Sequence, residues 1–65
     1  MNLEPYQQRV VEEKQELDAK IEALKNFNKN PKGIIRPAAI FLLAQQEEIM
    51  QQYSEILQKR IDLFE

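Results

Sequence analysis

The sequence predicts an all-α protein, an antiparallel two-helix hairpin that assembles into a helical-bundle homo-oligomer. Apolar residues recur every three or four positions in two long segments, and a short segment holding the only Gly separates them. The 65 residues allow one domain, residues 1–65, and a chain this short buries only about 60% of its unfolded surface. Because Cys and His are absent, neither disulfides nor zinc can supplement the core, so we expect self-association.

The first helix is predicted over residues 3–27, where the apolar positions keep a helical spacing. They are Leu3, Tyr6, Val10, Leu17, Ile21, Leu24 and Phe27. A basic loop is predicted over residues 28–36, because Pro31 and Gly33 oppose a continuous helix there. The second helix is predicted over residues 37–64, since Pro37 suits a first turn and neither Gly nor Pro follows it.

The second helix carries two neighbouring apolar rows that each repeat every seven residues. The rows are Leu42, Ile49, Ile56, Leu63 and Leu43, Met50, Leu57, Phe64. Together they are broader than one antiparallel partner covers, and an uncovered apolar patch usually marks an interface. The predicted oligomer interface is Leu42, Leu43, Ile49, Met50, Tyr53, Ile56 and Leu57. The alternatives are a monomer in which Ile34 and Ile35 fold over the extra row, and a structural coiled-coil dimer without ligand.

The composition argues against an enzyme. The chain has one hydroxyl of the Ser or Thr type, Ser54, and no His to activate it, and the usual zinc ligands are missing. We therefore expect no metal and no cofactor. No segment approaches the ~20 apolar residues of a membrane span, and no signal sequence is evident, so a cytoplasmic location is expected.

Charge is distributed unevenly along the chain. No acid lies between Glu22 and Glu47, and that interval holds Lys25, Lys29, Lys32 and Arg36. In a hairpin this interval becomes a positive end, which suits an anion. The alternative is a loop without a ligand. Basic residues stabilise a helix C-terminus, and Asn, Lys, Pro and Gly are ordinary loop residues, so a positive loop often binds nothing. Four bases are too few for a duplex nucleic acid, so a small phosphorylated ligand is the better candidate.

The apolar stripe of the first helix is interrupted between Val10 and Leu17. Glu13 and Lys14 occupy that level. Polar residues in a seam often fix register or oligomeric state. The other interpretation is a pocket between protomers, formed by Lys14, Arg9, Tyr6 and Arg60, in which cations contact phosphate and the Tyr6 ring stacks on a base.

Parts of both helices resemble a family of short proteins encoded by crAss-like and other tailed phages. The segments are YQQRVVEEK at residues 6–14 and MQQYSEIL at residues 50–57. The second helix also resembles the helical-hairpin domain of anti-CBASS and anti-Thoeris sponge proteins, through Phe41, Ile49, Tyr53 and Arg60. This resemblance implies an oligomer that sequesters a cyclic oligonucleotide or cyclic ADP-ribose signal, with Lys14 or Arg9 on the phosphate and Tyr6 stacking.

The predicted function is thus a phage-type anti-defence protein that sequesters an anionic cyclic nucleotide in the host cytoplasm. Its predicted ligand-binding residues are Tyr6, Arg9, Lys14, Lys32, Arg36 and Arg60. The alternative is a protein-interaction module, an inhibitor or assembly factor, that docks on a host or phage protein through the apolar face of the second helix. In that alternative Leu43, Met50 and Leu57 are the anchors.

Overall fold

A computed structural model of the chain describes residues 2–33 and 35–64, which form two helices packed as an antiparallel hairpin. Helix α1 is Pro5–Lys29 and helix α2 is Pro37–Asp62. The hairpin is a rod of 49 × 16 × 14 Å. The predicted all-α hairpin is confirmed. Neither helix combines the length and the apolar character needed to cross a membrane.

Helix α1 begins and ends two residues later than the periodicity predicts. At its start the Glu4 N–H donates to Oε1 of Gln7 over 2.9 Å, and Pro5 occupies the first turn, where its missing N–H costs nothing. At its end the Asn30 N–H donates to the Phe27 carbonyl over 3.1 Å. Pro31 follows directly and disfavours a further helical turn.

Helix α2 begins at Pro37, as predicted, and ends two residues before the predicted position. Its last turn tightens, because the N–H groups of Leu63 and Phe64 donate three residues back, to Arg60 and Ile61. In the preceding loop Gly33 has a φ of +85°, and apart from its own atoms and those of its chain neighbours nothing lies within 4 Å of where a Cβ would be. Gly is therefore favoured there by backbone conformation and not by space.

The core lies in one line between the helices. Among the described residues its buried apolar members are Val10, Leu17 and Leu57. Ile21, Met50, Ile61 and Phe64 pack against them. The row of α2 that faces α1 is therefore the one that contains Met50, Leu57 and Phe64.

The other apolar row of α2 is exposed. Leu42, Ile49, Ile56 and Leu63 are between 55% and 80% exposed, and Tyr53 is 41% exposed. Ile35 is half-buried, and Ile34 lies outside the described residues. The row extends over about 32 Å at 1.5 Å per residue, so a loop at one end of the rod cannot cover it.

Candidate functional site

The polar level of the α1 stripe contains a connected set of side chains. The Lys14 ammonium contacts Oδ2 of Asp18 at 2.6 Å, and the Ser54 hydroxyl donates to Oδ1 of the same carboxylate at 2.5 Å. These two hydrogen bonds, from Lys14 and then Ser54, lower the pKa of Asp18 below its usual value, against a smaller opposing effect of burial. The Lys14 side chain is only 20% exposed, so its stem lies along the hairpin while its charge is paired.

This arrangement supports the register interpretation of the polar level. Asp18 of α1 meets Ser54 of α2, so the two helices are tied together at one height. Lys14 also lies away from its predicted neighbour Arg9, because five residues correspond to about 140° around a helix. Within one chain the structure therefore does not bring Lys14 together with Arg9 in a single pocket.

Tyr6 and the two arginines lie at the end of the hairpin opposite the loop, which we call the open end. The Tyr6 ring contacts Phe64 edge to face, with centroids 6.2 Å apart and planes at 80°, and Tyr6 remains 56% exposed. Arg9 follows one turn later on α1, and Arg60 precedes Phe64 by one turn on α2; both are exposed. An aromatic ring and two cations thus share this end.

Arg60 and Tyr53 belong to the same side of α2 as its exposed apolar row. Tyr53 follows Ile49 by four residues and Arg60 follows Ile56 by four, a spacing that places each pair on one side of a helix. We call this surface the open face of α2. Its members are Leu42, Ile49, Tyr53, Ile56, Arg60 and Leu63.

The α1 side of this surface is mostly polar, and its exposed apolar member is Phe27 near the loop. The contact between Asp18 and Ser54 marks one flank of the hairpin, and the open face of α2 lies on the opposite flank. On α1 the helical period places four exposed charged residues on that opposite flank. They are Arg9, Glu13, Glu16 and Lys20. One flank of the hairpin therefore combines an apolar half from α2 with a charged half from α1.

The predicted loop cations lie at the other end of the rod. Lys32 is exposed in the loop, and Arg36 is the exposed N-cap residue of α2. Helix α1 alone separates Arg9 from Lys29 by about 30 Å. Lys32 and Arg36 therefore cannot meet Arg9, Tyr6 or Arg60 within one chain, and the six predicted ligand residues do not form one intramolecular site.

The structure divides the predicted interface residues into two groups. Leu57 is 0% exposed, and Met50 and Leu43 are half-buried; Leu57 and Met50 pack within the hairpin core. These three residues therefore have little surface left for a partner of either predicted kind. The remaining four are exposed. They are Leu42, Ile49, Tyr53 and Ile56.

Asn28 and Glu47 form a contact between the helices that the sequence did not predict. The Asn28 amide donates to the Leu43 carbonyl at 3.2 Å and to Oε1 of Glu47 at 2.9 Å. Oε2 of Glu47 accepts from Gln51 at 3.3 Å. The available signal was the position of Asn28, four residues after Leu24 and hence in line with the apolar stripe.

The chain matches the model of a known protein family. The model of the Sequestin family matches residues 4–63, which include both helices and the loop between them. No curated protein and no solved structure matches the chain.

Proposed function

Because the chain belongs to the Sequestin family, we propose that it binds and sequesters an anionic cyclic nucleotide signal without converting it. In this proposal it is a phage-type anti-defence protein that acts as a homo-oligomer in the host cytoplasm. The family match over residues 4–63 is the observation that carries the proposal, since the family name describes sequestration.

The chemistry of the open end supports an anionic ligand with an aromatic base. Arg9 and Arg60 can donate two hydrogen bonds each to phosphate oxygens, and the exposed Tyr6 ring offers a surface on which a base can stack. The Tyr6 ring is braced by Phe64, so less of its conformational freedom is lost when a ligand binds.

Capture without turnover fits the side chains that the chain offers. Ser54 is buried in the helix interface and its hydroxyl donates to Asp18. Asp18 in turn is held ionised by Lys14 and Ser54, which opposes a role as a general acid near neutral pH. The described side chains near the open end can bind and stack, and no activated nucleophile is among them.

The test is titration calorimetry with cyclic dinucleotides, cyclic trinucleotides and cyclic ADP-ribose isomers. We expect one class of ligand to bind and to be recovered intact after the protein is denatured by heat. Absence of binding by every ligand would refute the proposal, and recovery of a cleaved ligand would show an enzyme instead.

Paired variants locate the site. Arg60→Ala should weaken binding at least tenfold, because a charge-assisted contact to phosphate contributes about 1.5–3 kcal/mol. The matched control is Lys59→Ala, which removes a neighbouring exposed cation that points about 100° away around α2. Equal effects of the two substitutions would indicate general electrostatic attraction and not a site at Arg60.

A further inference from the structure

The exposed row of α2 reads the same in both directions. From Leu42 to Leu63 its members at seven-residue intervals are Leu, Ile, Ile and Leu, and the midpoint lies between Gln52 and Tyr53. When a second copy of α2 runs antiparallel about that midpoint, Leu meets Leu and Ile meets Ile along the whole row. Such self-complementarity is what a two-fold symmetric interface requires.

The charged half of the same flank has matching symmetry. Asp18 meets Ser54, so the midpoint of the α2 row lies level with the region of Asp18 on α1. Glu16 and Lys20 are exposed and lie two residues on either side of Asp18. The α2 midpoint is level with about residue 19.5 of α1, so an antiparallel second copy of α1 places Glu16 of one copy about 4.5 Å along the axis from Lys20 of the other, twice, a distance that these long side chains can span. Charges and apolar side chains thus favour the same axis.

Other arrangements of two copies are less favourable. With α2 packed on α1 of the second copy, the apolar row would cover the charged side chains of α1. These side chains would lose their hydration and gain no polar partner from the row. They are Arg9, Glu13, Glu16 and Lys20. With the two copies of α2 parallel, both basic loops would lie at one end and repel. The antiparallel arrangement places each loop, with no acid between Glu22 and Glu47, beside the more acidic chain ends.

We infer that two copies pack through this flank as an antiparallel four-helix dimer, and that each end of the dimer holds a binding site completed by both chains. This inference deepens the proposed function and rests on it for the ligand class. Along α2, Arg60 lies about 11 Å from the midpoint and Arg36 about 25 Å in the opposite direction. In the dimer the loop of one copy therefore overhangs the open end of the other.

The overhang brings together two groups of cations that one chain keeps apart. Tyr6, Arg9 and Arg60 come from one copy, and Lys32 and Arg36 come from the loop of the partner subunit. Four cations and one aromatic ring then surround a notch at each end of the dimer. Like charges gathered in this way repel until an anion binds, so a polyanionic ligand should tighten the dimer as well as occupy the notch.

The dimer is tested first by its mass and by a matched pair of substitutions. Light scattering should give twice the 7.7 kDa of the chain. Ile49→Glu should give a monomer that remains helical by circular dichroism, since Ile49 lies in the row and is 63% exposed. The control is Phe41→Glu, equally exposed at 62% but on another side of α2, and it should stay dimeric. The inference would be overturned if the wild-type protein were a monomer, or if Ile49→Glu and Phe41→Glu each still formed a dimer.

The orientation is tested by crosslinking, which the absence of native Cys makes simple. Leu42→Cys alone and Leu63→Cys alone should not form a disulfide between copies under mild oxidation. A mixture of the two variants, unfolded and refolded together, should form one, because the antiparallel axis places residue 42 opposite residue 63. Efficient crosslinking of Leu42→Cys with itself would show a parallel dimer and refute the proposed arrangement.

The shared site is tested by mixing two variants that are each inactive. One carries Arg9→Ala and Arg60→Ala, and the other carries Lys32→Ala and Arg36→Ala; each should lose binding of the cyclic nucleotide that the wild-type protein takes. After refolding together, half of the dimers combine the two variants and hold one intact site, so about one quarter of the wild-type sites should return.

The outcomes separate the two proposals. If wild-type protein binds none of the cyclic nucleotides, the proposed function fails, while the mass and crosslinking results still decide the dimer. If wild-type protein binds but the mixture regains nothing, the ligand is held within one chain, and the shared site is wrong although sequestration stands.

Discussion

Leu57 and Ile56 are neighbours on α2, and they have opposite environments. Leu57 is 0% exposed, in the line of core residues between the helices, whereas Ile56 is 55% exposed on the open face. Both repeat every seven residues with similar apolar partners. The comparison shows that apolar periodicity creates two candidate seams on α2, and that something else selects which one faces α1.

Polar contacts make that selection. Ser54 reaches Asp18 and the Leu43 carbonyl reaches Asn28 only when the row of Leu57 faces α1. A rotation of α2 that brought the row of Ile56 inward would turn Ser54 away from Asp18. The charge-assisted hydrogen bond between these two side chains would then be lost. The apolar rows thus supply the stability, and a few polar side chains fix the rotation of α2.

The largest expected effect separates the two rows directly. Leu57→Ala should cost about 3 kcal/mol in the free energy of unfolding, which is most of what a domain of this size has. Ile56→Ala should change stability little at low protein concentration, because the side chain is exposed in one chain. Thermal unfolding followed by circular dichroism measures both. If the open face forms the proposed dimer, the cost of Ile56→Ala should rise with protein concentration.

A smaller effect is expected at the loop end of the helix pair. Asn28→Ala removes both hydrogen bonds to α2 and should cost about 1 kcal/mol in urea unfolding. Gln51→Ala is the control, since it removes a contact to the same Glu47 carboxylate from within α2 alone. Equal losses would show that Asn28 does not hold the helices in register.

The contact between Asp18 and Ser54 predicts a pH dependence. The pKa of Asp18 is lowered in the folded protein, so its contribution to stability is present above the unfolded value near 3.8 and is lost as the pH falls through the folded pKa. The stability difference between wild type and Asp18→Asn should therefore be constant near neutral pH and shrink below about pH 4. Ser54→Ala should reduce that difference, because it removes one of the two hydrogen bonds that lower the pKa. A difference that grows in acid would contradict this account.

A further effect is expected in the loop. Gly33→Ala should cost about 1 kcal/mol, because strain at φ +85° outweighs the lower entropy of the unfolded chain. Gly33→Asn should cost less, because Asn tolerates positive φ better than Ala. If the Ala and Asn substitutions lower the free energy of unfolding equally, the positive φ at residue 33 does not determine the stability of the hairpin.

The fold was predictable because both helices depend on local signals. The spacing from Leu3 to Phe27 and the start at Pro37 defined the elements, and the two-row count on α2 predicted that one row would lack an intramolecular partner. The two-residue differences at helix ends come from single hydrogen bonds, such as that between Glu4 and Gln7, which periodicity does not report.

The candidate site was less predictable, because it depends on rotation and on height along the rod. From the sequence, Lys14, Arg9 and Tyr6 were predicted to line one pocket, with two cations beside an aromatic ring. The structure turns Lys14 toward Asp18. It also shows that Lys32 and Arg36 are separated by the length of a helix from Arg9. The pair of Lys14 and Asp18 is four residues apart within α1, and the distance of the loop cations follows from the hairpin itself; the contact of Ser54 with Asp18 is the part that depends on how the two helices pack.

The contact between Tyr6 and Phe64 joins the first turn of α1 to the residues just after α2. This contact is far from the connecting loop, so closing it costs more chain entropy than closing a contact near the loop, and we expect it to open at a lower free energy than the contacts around Leu17. Amide exchange should therefore be faster around Tyr6 than around Leu17. A ligand bound on Tyr6 would hold this end of the hairpin closed. Binding would therefore slow the unfolding of the whole hairpin at the same time as it removes the signal from solution.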